Sequence, residues 1–440
     1  LPTTCVLEAL ESLSIAGIAS LDSDSQGRGV VRTLGRVPDS VATAWLSPQS
    51  RRDCLGSLAD YLEGDCPETD PDVMGRLYLE AQNFSKARTW HMRSAEKSLE
   101  LGWLRVAKER LRVILSLDAV LRTDPGDRSD AYQMMATVCS SLGDYEEALA
   151  YQERNLAYWE RASKRRELVL GLSVAGGLFF RLGRQDKAQE ALERALGASE
   201  GDAELKTRSR LDLANLHLKK GQLGSAKTEF ETALDAATKI KEQSLMALSL
   251  LGLGKTLSRR SDIRKSITFL NRALALTEGK EASTEAWARL EIAKIRFCEG
   301  AFAESLRQLK LVKEAARQLR DRERECLSEA WSIRSGLKAG SIDEALLDRA
   351  RAANASLHTL GDEESRVVSS LALGEAEAHY GDVVAANRCF AEAIRESRLS
   401  SDPFLESMAC QAYGEYLASQ QDDLAGVMLE RGRWARSKIR

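Results

Sequence analysis

The chain has 440 residues and a formal net charge of -3; that length suits two ordinary domains or one long repeat array, and the mild acidic balance argues against a general nucleic-acid binder. Ala, Leu, Glu, Arg and Lys dominate and only 7 prolines interrupt them, which is a helix-forming composition. No apolar run reaches the roughly 18 residues of a membrane span and the N-terminus has no signal-peptide pattern, so a cytoplasmic protein with no membrane partner is expected.

The N-terminal segment, residues 1–66, has its own pattern. "TCVLEALESLSIAGIASLDSD" reads as a helix followed by a short strand, and "GRGVVRTLGRVPDSVATAW" as a strand and a helix start. "SPQSRRDCLGSLADYLEG" reads as a helix with Ser47-Pro48 as cap and first turn. This order of helix, strand, turn, strand, helix resembles the back half of a winged-helix domain, so a small winged-helix-like α/β cap is expected here. The chain opens at Leu1 rather than Met, as a piece of a longer protein would. Residues 67–126 read as divergent helical repeats: Gly75, Phe84 and Ala87 fit one helix pair, and Trp103, Leu104 and Ala107 begin another helix.

Residues 127–440 read as one repeat array. "SSLGDYEEALAYQERNLAYW" places a glycine between two apolar-periodic helices, and similar units recur around Gly183, Gly221, Ser261, Gly300, Gly340 and Gly381. The period is near 40, and a weaker eighth unit centres near Gln421. Five residues after each turn stand Ala148, Ala188, Ala226, Ser266, Ser305, Ala345 and Ala386. Twelve after stand Asn155, Ala195, Ala233, Ala273, Val312, Ala352 and Ala393, and seven before stand Ala136, Gly176, Ala214, Gly254, Ala293, Ile333 and Gly374. Small residues at most of these places let paired helices approach closely. Two after the turn a larger group, such as Tyr145, Leu223, Ile263, Phe302, Ile342 or Val383, is expected to plug the gap between pairs. The turn glycine supplies the positive φ that ends the first helix.

These offsets resemble the tetratricopeptide repeat family, although the usual repeat has 34 residues. The resemblance implies an all-α right-handed superhelical solenoid of about 40 residues per repeat. Pro48, Arg51 and Arg52 match the "P-x-x-R-R" helix that precedes the repeat arm of bacterial STAND signalling ATPases, including the large LuxR-type activators. That resemblance implies a sensor arm whose effector is an ATPase, a kinase or a protease. "LERGRWARSKIR" at the C-terminus is too short for the DNA-reading helix-turn-helix of the LuxR type.

"SLLGLGKTLSRRSD" carries Gly-Lys-Thr, the tail of a P-loop, but Ser249 stands where the leading glycine of G-x-x-x-x-G-K-[ST] belongs. The preceding residues have helical periodicity, so Gly254 reads as a packing residue and Lys255 as a residue on a helix. The family resemblance implies that positions six and two before each turn face a concave groove. There the middle repeats present Asn215, Lys219, Lys255, Arg259, Lys294, Arg334 and Lys338, with Glu375 and Glu415 reversing the sign toward the C-terminus. Stacked cations and an amide can hold anionic oxygens with charge-assisted hydrogen bonds. A plain solvated helix face is the competing reading of the same residues.

No G-x-S-x-G elbow or H-E-x-x-H helix occurs. The eight cysteines are scattered and the four histidines form no zinc pattern, so neither metal nor cofactor is expected. Cys298 falls on a groove position but reads as a packed thiol, and Trp159, Trp287 and Trp331 read as helix-packing residues. The sum is a non-catalytic regulatory arm that binds a protein or peptide with an acidic segment. A free-standing scaffold joining two proteins, and an enzyme with an unrecognised site, are the alternatives.

Overall fold

The structure, a computed structural model, describes residues 19–23, 29–33, 47–66, 68–400 and 402–439. Two strands, β1 (Ala19–Ser23) and β2 (Gly29–Thr33), pair antiparallel with Leu21 opposite Val31. The helix expected before β1 and the helix start expected after β2 lie outside the described residues, and the strand pair alone does not support the expected winged-helix-like cap. From residue 47 onward the described chain is helical. The helices are α1 (Pro48–Asp65), α2 (Pro71–Glu80), α3 (Phe84–Glu100), α4 (Leu104–Leu121), α5 (Pro125–Leu142), α6 (Tyr145–Arg161), α7 (Arg165–Arg181), α8 (Gln185–Ala198), α9 (Ala203–Lys219) and α10 (Leu223–Ile240). They continue as α11 (Gln243–Arg259), α12 (Ile263–Thr277), α13 (Ala282–Cys298), α14 (Phe302–Gln318), α15 (Arg322–Ala339), α16 (Leu346–Leu360), α17 (Glu363–His379), α18 (Val383–Leu399), α19 (Pro403–Ser419) and α20 (Leu424–Ser437). Among the described residues no helix is long and apolar enough to cross a membrane.

Two compact units divide the chain, residues 1–138 and 139–440. In the first, α1 to α4 pack in succession around Ala59, Met74, Tyr78, Ala87 and Leu117. Pro48 opens α1, with the Ser47 hydroxyl accepting from the Ser50 amide at 3.0 Å. Arg51 pairs with Glu80 at 3.0 Å and Arg52 bonds Gln82, so the arginine-rich helix is tied to the end of α2.

The second unit is a stack of helix hairpins. Every expected turn residue has a positive φ: Gly143, Gly183, Gly221, Gly300, Gly340 and Gly381, and also Ser261 (65°) and Gln421 (58°). Left-handed backbone therefore ends the first helix of each pair even where the side chain is not hydrogen. Successive first helices α7, α9, α11, α13, α15, α17 and α19 touch one another and form the inner wall. The small positions are buried as expected: Ala148, Ala188, Ala226, Ser266, Ser305 and Ala386 are fully covered. A Cβ on Gly254 would stand 2.6 Å from Leu270, and the Gly254 carbonyl accepts from Ser266 at 2.7 Å. The Gly-Lys-Thr stretch thus lies within the C-terminal part of helix α11, packed on α12, and is not a phosphate loop.

The hairpin after Gly340 departs from the expected register. Residues 341–345 are not helical and α16 begins only at Leu346, whereas α6, α8, α10, α12, α14 and α18 begin two residues after the turn. The extra residue rotates the helix by one position, so Leu346, Ala350, Ala353 and Leu357 are buried, while Ala345 and Ala352 are exposed. Ile342 and Val383 are exposed and plug no gap.

Candidate functional site

The inner wall of the second unit, with α20, lines a partly open cavity of about 1070 Å³. All seven residues singled out from the repeat offsets line it: Asn215, Lys219, Lys255, Arg259, Lys294, Arg334 and Lys338. The offsets explain the convergence. Positions six and two before the turn lie four apart on one helix face, and the adjoining first helices line those faces up. Trp287, Phe297, Trp331 and Phe404 supply its aromatic surface.

The cations are not bare. Lys219 lies 3.4 Å from Asp362, and Lys338 lies 3.5 Å from Glu415. Lys294 pairs with Glu291 at 2.9 Å and with Glu364 at 2.5 Å. Arg334 forms a forked pair with Glu375, at 2.9 to 3.1 Å. Arg259 pairs with Asp402 at 2.6 Å and Glu364 at 3.3 Å, and donates to the Leu218 carbonyl at 3.0 Å. Burial would push the Glu364 carboxyl up, but Lys294 and Arg259 outweigh it and hold Glu364 at about 2. Asp362 is likewise buried, yet Lys219 and Arg181 keep it well below the usual carboxylate range.

Among the described residues nine cationic side chains and six carboxylates line the cavity, and a seventh carboxylate, Asp402, reaches Arg259. The cations without a close carboxylate of their own are Lys255, Arg433 and Arg436. Lys255 is 4.0 Å from a Glu291 already held closer by Lys294, and its ammonium sits over the Trp287 ring at 4.4 Å. Burial pulls the Lys255 pKa below its ordinary value despite Glu291. Arg436 donates to the Ser261 hydroxyl at 2.7 Å and lies over Phe404. The indole Nε1 of Trp331, a residue only 4% exposed, has no acceptor. The site therefore offers an anionic guest cations without close partners and aromatic walls, while the Trp331 N–H is itself buried.

Cys298 also lines the cavity and is exposed rather than packed as expected; desolvation by its surroundings still pushes its thiol pKa up in spite of Arg334, the opposite of what a nucleophile needs. Trp159 and Trp331 are buried packing residues, whereas Trp287 is partly exposed between Lys255 and Arg324. The repeat offsets did not point to Asp362, Glu364, Asp402, Arg433 or Arg436. Asp362 and Asp402 carry an N-cap signature, with side chains accepting from the Ser365 and Phe404 amides, but nothing local says that they face a cation roughly 140 residues away.

The tetratricopeptide repeat family model matches residues 127–200 and 207–279. A comparison with curated proteins finds no match. Among solved structures, a Rap protein complexed with Competence and Sporulation Factor is 14% identical, covers 81% of this chain and 99% of its own, and has a TM-score of 0.56. The Rap conjugation gene regulator of plasmid pLS20, in complex with a Phr peptide, is 13% identical over 73% of this chain and 93% of its own, with a TM-score of 0.52. A STAND protein with a tetratricopeptide repeat sensor from Pyrococcus horikoshii covers 95% of this chain and 60% of its own at 14% identity and a TM-score of 0.41. At such identities the likeness is one of fold. Period, left-handed turns, buried small residues and the matched segments agree: the chain carries tetratricopeptide repeats, built as an α-helical solenoid.

Proposed function

We propose that residues 139–440 are the non-catalytic, ligand-sensing arm of a signalling protein, and that the ligand is a peptide or partner segment bearing carboxylates. The observation that carries this reading is the cavity itself: seven groove residues from four helices converge on it, and Lys255, Arg433 and Arg436 beside them have no close carboxylate of their own. Two solved structures of similar fold hold a bound partner, Competence and Sporulation Factor in one and a Phr peptide in the other, which supports a partner-binding role here. The Pro48, Arg51 and Arg52 resemblance adds an ATPase or kinase as the effector that the arm restrains or releases. The scaffold alternative shares the binding surface and differs only in lacking an attached effector.

Titration calorimetry with a hexaglutamate peptide tests the site. Binding should weaken with salt, because exposed charge interactions are screened over about 8 to 10 Å at physiological ionic strength. It should weaken at least tenfold in a Lys255→Met/Arg433→Ala variant with unchanged helical circular dichroism. Equal binding by parent and variant would move the site elsewhere.

A further inference from the structure

The basic wall already holds an acidic segment, and it comes from the chain itself. Asp362, Glu363 and Glu364 form the start of helix α17. Asp362 reaches Lys219, and Glu364 bridges Lys294 and Arg259. The same pattern extends on both sides. Arg181 pairs with Glu323 at 3.0 Å, and Glu323 accepts from the Asp362 amide at 3.1 Å. Arg181 also donates to the Leu360 carbonyl at 3.1 Å, as the Tyr145 hydroxyl does at 3.2 Å. Arg259 meets Asp402, and the next residue, Pro403, lies against the turn at Gly221.

These contacts join helix ends that are 142 or 143 residues apart in three successive repeats: Arg181 to Glu323, Lys219 to Asp362, Arg259 to Asp402. They form one ionic seam between successive turns of the coil. We propose that this seam is an autoinhibitory latch: the 362–364 segment occupies the basic wall as an internal mimic of the acidic ligand, and a ligand that displaces it opens the coil. The inference rests on the acidic-ligand reading of the cavity for its second half only, since the seam is formed without any guest. Its chemistry is exchange of carboxylates on Lys219, Arg259 and Lys294, so the opening force is the ligand's advantage over the internal segment. A guest that bound Lys255, Arg433 and Arg436 alone would leave the coil closed.

The test uses the whole chain and an Asp362→Asn/Glu364→Gln variant. Asparagine still caps a helix, so α17 should persist. Small-angle X-ray scattering should show a larger radius of gyration for the variant at low salt. Buried pairs are screened less than exposed ones, so as salt rises to about 0.5 M the parent should expand only part of the way toward the same value, through the more exposed Lys219–Asp362 pair. Hexaglutamate should bind the variant at least fivefold more tightly than the parent, and should expand the parent but not the variant. Identical radii for parent and variant, with no response of the parent to salt, would overturn the latch. Expansion of the variant with hexaglutamate bound equally by both proteins would overturn the mimicry and leave the seam purely structural. Expansion with no hexaglutamate binding to either would refute the acidic-ligand reading while leaving the seam in place.

Discussion

Adjacent glycines on helix α7 should respond to the same substitution in opposite ways. Gly176 is the small residue seven before the turn, and a Cβ there would stand 2.8 Å from both Cγ and Cδ2 of Leu192. Leu192 is 4% exposed and cannot swing into solvent. Gly177, one position on, would meet nothing within 4 Å. Alanine gains about 0.8 to 1.0 kcal/mol over glycine in a helix interior. At Gly177 that gain is unopposed, so Gly177→Ala should stabilise by nearly this amount. At Gly176 it is set against overpacking of about 1 to 3 kcal/mol. The net expectation for Gly176→Ala runs from near neutral to about 2 kcal/mol destabilising, and the gap between the two variants is about 1 to 3 kcal/mol. Repeat arrays need not unfold in one step, so urea denaturation should be paired with hydrogen exchange across residues 165–198. Gly176→Ala at least as stable as Gly177→Ala, with slower exchange in that hairpin, would refute the assigned helix-packing register.

Two further outcomes follow from the same packing and charge pattern. Asn155 is fully buried, and neither atom of its amide finds a partner, while alanine fills the matching place at Ala195, Ala233, Ala273 and Ala393. An unsatisfied buried polar group costs about 1 to 3 kcal/mol, so Asn155→Ala should be neutral to about 1 kcal/mol stabilising, and a clear drop in the urea midpoint would contradict it. Acid should loosen the seam: Glu364 and Asp362 have folded-state pKa values below their unfolded ones, so their stabilisation is intact above about 4.5 and is lost as pH falls toward about 2. Asp402, raised by burial although Arg259 opposes it, has the opposite sign and should soften the onset. Scattering across this range should report expansion before helix loss, and a coil that stays closed until the helices melt would count against the seam.

The hairpin architecture was legible because each repeat solves the same local problem. A small residue seven before a turn, another five after and a residue tolerant of positive φ between them are properties of one hairpin, and they repeat visibly even at Ser261, where the turn residue is not glycine. The register slip after Gly340 was hidden for a related reason. The interval to Gly381 grows by a single residue, and Ala345 and Ala352 still stood at the expected offsets, so small size alone could not distinguish buried from exposed positions. The cavity cations were legible as a face. Their partners were not, because Glu323, Asp362 and Asp402 meet them only through the winding of the coil, and winding depends on how seven or eight interfaces add up.

That winding explains why the seam forms where it does. The paired residues are separated by 142 or 143 positions, roughly three and a half repeats of about 40. A whole number of repeats would bring like against like, turn against turn. The extra half repeat brings the C-terminal end of one inner helix against the N-terminal end of another. Helix dipoles favour cations at the first kind of end and carboxylates at the second. Arg181, Lys219 and Arg259 occupy the last turn or end of α7, α9 and α11. Glu323 lies in the first turn of α15, and Asp362 and Asp402 cap α17 and α19. Each charge is thus placed first by the needs of its own helix, and the half-repeat offset turns those separate choices into complementary rows. Breaking one row from within, by deleting Arg259 beside the nearly buried Asp402, leaves a buried carboxylate without its partner, a loss of about 3 to 5 kcal/mol in such settings. An incoming polyanion leaves the cations paired and frees only the carboxylates at the helix N-termini, whose dipoles still favour them. Exchange at this seam is therefore far less costly than its deletion, as a reversible latch requires.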